Sequence, residues 1–289
     1  IELSPEARAA LGLEAGRLTP ADVIRAILRA PADLLWFGGI GTYVRASEEA
    51  NAAVGDKAND HVRVTAAELG AKVVGEGANL GMTQAARVEF ARRGGRVNSD
   101  AIDNSAGVNT SDVEVNIKIA LTDAERAGEL ARAARNAFLE EMTEDVARLV
   151  LRNNYLQTLA ISLAEAEGTA AAGFQMRLMH VLEQRAGLDR AIEGLPTDQE
   201  IAARIAAGQG LTRPEIGVLL AYAKIMLYDD LLASGVPDDA WLAREIQRYF
   251  PPQMEARFPD EIRRHRLRRE IIATMLANAL INRGGPTFT

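Results

Sequence analysis

Three glycine-rich segments stand where this chain could do chemistry: Gly38-Gly39-Ile40-Gly41, Gly75-Glu76-Gly77-Ala78-Asn79 and Asp103-Asn104-Ser105-Ala106-Gly107. Glycine lets the backbone approach a ligand closely and present its N–H groups. Asn79 and Asn104 add primary amides, which donate and accept at once and suit a carboxamide or ribose hydroxyls. Spacing alone leaves a plainer alternative standing, in which the glycines make turns and the asparagines tolerate left-handed backbone. No G-x-G-x-x-G is present. Gly75 to Leu80 ends in leucine where the last glycine belongs, Gly39 to Val44 fails as well, and there is no P-loop. By spacing alone, the chain is not identified as a dinucleotide binder.

Other chemistries find little support. His61, His180 and His265 are scattered with no H-x-x-x-H or H-E-x-x-H pairing, so no metal site is expected. There is no G-x-S-x-G. The acidic pairs Glu140-Glu141 and Asp229-Asp230 fall beside helical stripes and read as solvated faces. One basic cluster, Arg263, Arg264, His265, Arg266, Arg268 and Arg269, could be an anion patch on a helix. The favoured reading is a solvated face paired with Asp260, Glu261 and Glu270, the arginine stems covering apolar surface.

The elements that must carry the glycine segments alternate. Thr19-Pro20-Ala21-Asp22 reads as a helix N-cap with proline in the first turn. The apolar run Asp33 to Phe37 predicts a buried strand opening into the first glycine segment, Lys72 to Val74 leads into the second, and Thr83 caps a helix ended by Gly94. A weak third strand is expected near Gly95 to Val97. Strands separated by helices and ending in glycine loops predict an open parallel α/β sheet over residues 1–108, with ligands at the carboxyl ends of its strands.

From 109 onward the strand signals vanish. Val113, Ile117 and Leu121 form one stripe at helical spacing. Others are Phe138, Met142, Val146 and Leu149; Leu156, Leu159 and Leu163; and Phe174, Leu178 and Leu182. Capping boxes are expected at Thr122…Glu125, Thr197…Glu200 and Thr212…Glu215. The expected fold class is therefore α/β followed by all-α.

Bulk composition agrees. Hydrophobic residues make up 48% of the 289 and charged residues 25%, a globular balance with no apolar run of membrane-spanning length. A net charge of −7 argues against nucleic-acid binding. The absence of cysteine excludes disulfides and thiolate zinc sites and favours a cytoplasmic setting. A start at Ile1 and a closing Gly284-Gly285-Pro286 loop read as a fragment or processed product.

Val74-Gly75-Glu76-Gly77-Ala78-Asn79 resembles the E-G-A-N stretch of glutamate dehydrogenases, and Asp100 to Val108 resembles their D-x-x-x-N-A-G-G-V. Ser111 and Glu114 match the family's S-Y-F-E, with Asp112 and Val113 in place of its aromatics. Leu34 to Val44 is similar to the L-L-W-N-G-G-I-G-T-Y-V of the large NAD-specific bacterial branch, departing at Phe37. Gly81 to Gln84, Asn153 to Thr158, Gly208 to Glu215 and Arg266 to Thr274 resemble that branch too, so the likeness spans essentially the whole chain.

The resemblance implies a partial Rossmann-like sheet: residues 1–108 as the C-terminal part of an NAD-binding domain, and 109–289 as a helical C-terminal domain. It implies NAD as cofactor, L-glutamate and 2-oxoglutarate as substrate and product, and a homo-oligomer without nucleic-acid or membrane partners. Gly38, Gly39, Gly77, Asn79 and Asn104 would line the cofactor, with both asparagines at the nicotinamide end. Ser111 would contact a substrate carboxylate, helped by the N-terminus of a helix beginning near it. The family's catalytic lysine and aspartate and its phosphate loop would lie upstream of Ile1. None of Lys57, Lys72, Lys118 or Lys224 lies in a segment like the catalytic motif, so this chain alone is expected to be inactive. Two alternatives remain: a helical oligomerisation or regulatory module attached to a degenerate nucleotide-binding remnant, and an amino-acid dehydrogenase for leucine or phenylalanine.

Overall fold

The computed structural model describes residues 1–288. The chain forms two compact units, one of Ile1–Asn104 with Asp189–Val218 and the other of Ser105–Leu188 with Leu219–Thr289. In the first unit Thr19 acts as the cap its spacing predicts. Its hydroxyl accepts from the Asp22 N–H at 3.2 Å, and Pro20 takes the first position of the helix Pro20–Arg29.

The described residues of this unit contain four strands, β1 (Ala32–Phe37), β2 (Val44–Arg45), β3 (Val64–Thr65) and β4 (Ala71–Glu76). β1 pairs in parallel with β4, setting Leu34 opposite Val73 and Trp36 opposite Gly75, and β2 pairs in parallel with β3. The strand expected near Gly95 shrinks to one parallel bridge between Val73 and Arg96. Gly94 and Gly95 stand at its start, and glycine weakens extended backbone by entropy and by offering no side chain to pack.

Side chains alternate along β1 as a strand requires. β1 is not the buried strand expected: Phe37 turns into a core with Val44, Val64, Val74, Met82 and Phe90, whereas Leu34 and Trp36 point the other way and are each 58% exposed. Thr83 caps Gln84–Arg92 by accepting from the Ala86 N–H at 3.1 Å, and Gly94 follows with φ of +94°. The Thr197–Glu200 capping box forms, and Glu215 accepts from the Thr212 N–H at 2.7 Å.

The described residues of the second unit form helices joined by turns, and no strand. Val113, Ile117 and Leu121 bury one face of Ser105–Arg126 against Phe138, Met142, Ile246 and Ile272. The cap expected at Thr122 does not exist: the helix runs through it, and its hydroxyl donates to the Lys118 carbonyl at 2.7 Å. The burial period of 3.6 continues from Val113 past Thr122 to Ala124, and this outweighs a local capping signal.

Two stripes are also corrected. Leu159 and Leu163 are exposed on Thr143–Ala166, whose buried face is Val146, Val150, Ala160, Ile161 and Ala164. Phe174 is exposed on Ala172–Arg185, beside buried Leu178 and Leu182. The arginine cluster breaks between Pro259–Arg263 and Arg268–Gly284 rather than riding one helix. Its members pair with carboxylates: Arg263 with Asp260, Arg264 with Glu261, Arg266 with Asp123 and Arg269 with Asp238. His265 within it is buried, its Nε2 3.1 Å from the Asn116 carbonyl oxygen. Among the described residues no helix is long and apolar enough to cross a membrane.

Candidate functional site

Because β1 and β4 are parallel and adjacent, Gly38-Gly39 and Gly77-Ala78-Asn79 leave the sheet at the same end, the carboxyl end. The two loops are tied at their roots. The Phe37 carbonyl accepts from the N–H groups of Gly77 and Ala78 at 2.9 and 3.0 Å. Glycine is required at 77 by contact: a Cβ there would lie 2.3 Å from the Trp36 ring. At Gly39 a Cβ would meet nothing within 4 Å, so that backbone borders open space.

Asn104 ends the short turn Asp100–Asp103, and its Nδ2 donates to Asn79 Oδ1 at 2.9 Å. The two asparagines picked out twenty-five residues apart in sequence therefore form one amide pair. Their bond leaves the Asn79 amide N–H groups and the Asn104 carbonyl oxygen uncommitted among the described residues. A donor beside an acceptor is the complement of a primary carboxamide. The exposed indole of Trp36, packed over Gly75 and Gly77, adds an aromatic face next to it.

A buried ionic set holds this loop. Glu76, fully buried, is gripped by Arg87 through Nε to Oε2 at 2.7 Å and Nη2 to Oε1 at 2.9 Å, the two-pronged geometry of guanidinium and carboxylate. Arg87 also lies 3.2 Å from Asp100. The carboxylates then pin backbone. Glu76 Oε1 accepts from the Met82 N–H at 3.0 Å, and Asp100 accepts from the Leu80 N–H at 2.8 Å. Asp103 accepts from the Glu76 N–H at 3.0 Å and from Asn98 Nδ2 at 2.7 Å. Between these anchors Leu80 adopts φ of +60°, a left-handed conformation uncommon for a residue with a Cβ.

Burial pushes the Glu76 carboxyl up, against the pull of its bonds to Arg87 and Met82. For Arg87 burial acts to lower the guanidinium, but the bonds and charge of Glu76 and Asp100 outweigh it and the group is held protonated. Asp103 is likewise pushed up by burial.

Of the residues expected from sequence, Gly38, Gly39, Gly77, Asn79 and Asn104 fall in one loop cluster of the first unit. Ser111 belongs to the second unit. It is exposed on Ser105–Arg126, whose first residue is six positions earlier, so it lies past the first turn, where the helix terminus acts most strongly. The supporting set of Glu76, Arg87, Asp100 and Asp103 escaped sequence reasoning. One signal was available: Arg87 recurs with Phe90 at helical spacing on the buried face of its helix, an unusual place for an unpaired charge. Among the described residues no group of three or more His, Cys, Asp or Glu could hold a metal ion.

Comparison with known proteins places the sequence in a family. Residues 1–164 match the family model described as bacterial NAD-glutamate dehydrogenase, catalytic domain, and residues 208–289 match glutamate dehydrogenase, C-terminal. The chain is 54% identical over 288 residues to a protein of Pseudomonas aeruginosa named NAD-specific glutamate dehydrogenase. It is 47% identical over 288 residues to one of the same name from Halomonas elongata, and 46% over 294 residues to one from Mycobacterium tuberculosis. Each alignment covers 100% of this chain but 18% of the relative, so the chain spans less than a fifth of the length of these relatives. These sequence matches assign it: the chain belongs to the bacterial NAD-glutamate dehydrogenase family.

Proposed function

We propose that this chain supplies the nicotinamide-facing wall of an enzyme that oxidatively deaminates L-glutamate to 2-oxoglutarate and ammonia with NAD. The observation that carries the reading is the Asn79–Asn104 amide pair at the carboxyl end of two parallel strands. Bound NAD would accept hydride from the substrate's α-carbon. Asn79 and Asn104 hold a carboxamide by its own donor and acceptor, which fixes the ring to which it is attached. Gly38, Gly39 and Gly77 let backbone come close along the same path. The Glu76–Arg87–Asp100 set keeps the Asn79 loop rigid, so that positioning does not depend on the ligand. We take β1 and β4 as strands of a Rossmann-like sheet in which residues 1–108 are the C-terminal part of the NAD domain. Residues 109–289 are the helical C-terminal part of the chain, 189–218 of which pack in the first unit, and from it Ser111 contacts a substrate carboxylate. The catalytic lysine and aspartate come from the rest of the polypeptide, in keeping with relatives more than five times as long as this chain. The enzyme works in the cytoplasm.

In the full-length protein, Asn79→Ala is expected to weaken NAD binding about tenfold, the loss of hydrogen bonds in a desolvated site, with folding stability nearly unchanged. Coenzyme titration by NADH fluorescence reads the first and thermal unfolding the second. Unaltered coenzyme affinity would remove Asn79 from the site, and a full-length protein forming no NADH from glutamate would sink the reading as a whole.

The helical unit also favours assembly. Leu151, Tyr155 and Leu163 recur at turn spacing on Thr143–Ala166 and are 62%, 62% and 56% exposed, an apolar stripe suited to a subunit contact. Light scattering on Tyr155→Glu should show a smaller particle than the parent. An unchanged mass would exclude the stripe as that contact.

A further inference from the structure

The second unit carries a shallow, open surface pocket of about 310 Å³. Two helices line it. Arg213–Ala233 contributes Lys224, Ile225 and Tyr228, and Arg268–Gly284 contributes Thr274, Ala277 and Asn278. On each helix two polar residues stand four apart, Lys224 with Tyr228 and Thr274 with Asn278, so all four turn to the same space.

Lys224 Nζ donates to Gln157 Oε1 at 2.7 Å, and this neutral amide is its sole hydrogen-bond partner among the described residues. No carboxylate pairs with it there. The hydroxyls of Tyr228 and Thr274 and the amide of Asn278 make no side-chain hydrogen bond among the described residues. The pocket's surface is mostly apolar, with Ile225 exposed beside it, and an ammonium with donors to spare, two hydroxyls and an amide are the polar groups among its lining residues. A desolvated ammonium facing a neutral amide is poorly compensated, and an anionic oxygen is the group that would compensate it. Its acidic neighbours are Asp229, next to Tyr228, and Glu270, one turn before Thr274. Burial first, then these two charges, push the Tyr228 hydroxyl up, which keeps it a donor.

We propose that Lys224, Tyr228, Thr274 and Asn278 form a binding site for a small carboxylate, separate from the loop cluster of the first unit and dependent on neither Asn79 nor Asn104. The carboxylate oxygens take the free N–H bonds of Lys224 and the Thr274 hydroxyl, and Tyr228 and Asn278 flank them. Ile225 and Ala277 cover an apolar backbone.

Burial pulls Lys224 down to about 7, so near neutral pH a large share of it is a reactive amine. A bound carboxylate would restore the ammonium. A rise of about one pKa unit cuts the amine fraction about fivefold at neutral pH. The test is acetylation of the full-length protein with an N-hydroxysuccinimide ester, the rate at each lysine being read by peptide mass spectrometry. Sodium succinate, sodium acetate and inorganic phosphate are compared with sodium chloride at equal ionic strength. Succinate or acetate should slow acetylation of Lys224 about fivefold and leave Lys72 and Lys118 unchanged. Thr274→Val keeps the side-chain shape and should raise the protecting concentration about tenfold, the loss of one hydrogen bond to a charged group. Protection no greater than that by chloride overturns the site. Protection by phosphate alone overturns the carboxylate assignment, and undiminished protection in Thr274→Val removes that residue and its pocket from the proposal.

Discussion

Arg87 and Lys224 are both cations withdrawn from water, and the two units that contain them treat them in opposite ways. Arg87 is closed in by Glu76 and Asp100, and each of these carboxylates holds a backbone N–H of the Asn79 loop. Lys224 meets a single neutral amide at the edge of a pocket. A charge satisfied from within acts as a brace, whereas a charge left partly unsatisfied keeps an affinity for something else. The contrast separates positioning from binding: Arg87 is buried, whereas Lys224 is half-buried beside an open pocket.

The contrast can be broken most forcefully at the brace. Arg87→Leu strands the buried Glu76 carboxylate and the half-buried Asp100 and should cost about 3–5 kcal/mol in urea unfolding. Arg87→Lys should recover only part of this, because an ammonium cannot make both prongs of the contact. A leucine variant as stable as the parent would show that the set supports nothing. Next in size is Gly77→Ala, whose methyl group would press on the Trp36 ring at a cost of about 1–3 kcal/mol. Adding Trp36→Ala should cancel most of that loss in a double-mutant cycle, and simple additivity would remove the contact from the account.

The smallest effect has the opposite sign. Lys224 titrates near 7 when folded against an ordinary 10.5. The unfolded chain therefore binds the extra proton between those values. Stability falls as pH drops from 10.5 towards 7, and below 7 the full deficit is present. Lys224→Met removes this dependence and should stabilise the protein by about 1 kcal/mol in mildly acidic solution. The advantage should disappear above the unfolded value, and a methionine variant destabilised equally at all pH would mean that the ammonium is compensated by a partner.

What could be read in the residues beforehand followed from local rules. Thr19, Thr83 and Thr197 cap their helices because the cap is made within one turn, and Asp33 to Phe37 forms a strand although only Phe37 of its apolar run is buried. Asn79 and Asn104 stood out through motif order, but their mutual bond depends on β4 and the Asp100 turn meeting in space. Thr122 and the exposed Leu159 and Leu163 misled for the converse reason: capping signals and leucine spacing are local, and which helix face is buried is decided by partners elsewhere in the unit. Arg87 and Lys224 were invisible as sites because nothing in a charged residue's neighbours along the chain says whether a carboxylate will arrive.

Trp36 carries a practical consequence. The chain has two tryptophans, and the other, Trp241, lies with the Arg244 guanidinium 3.7 Å from its ring centre. Trp241→Phe would leave one emitter in this segment, with its ring against Gly75 and Gly77 and more than half of its surface bare. The loop cluster thus contains its own optical gauge, able to report when those loops are covered without a dye, a label or a catalytic turnover.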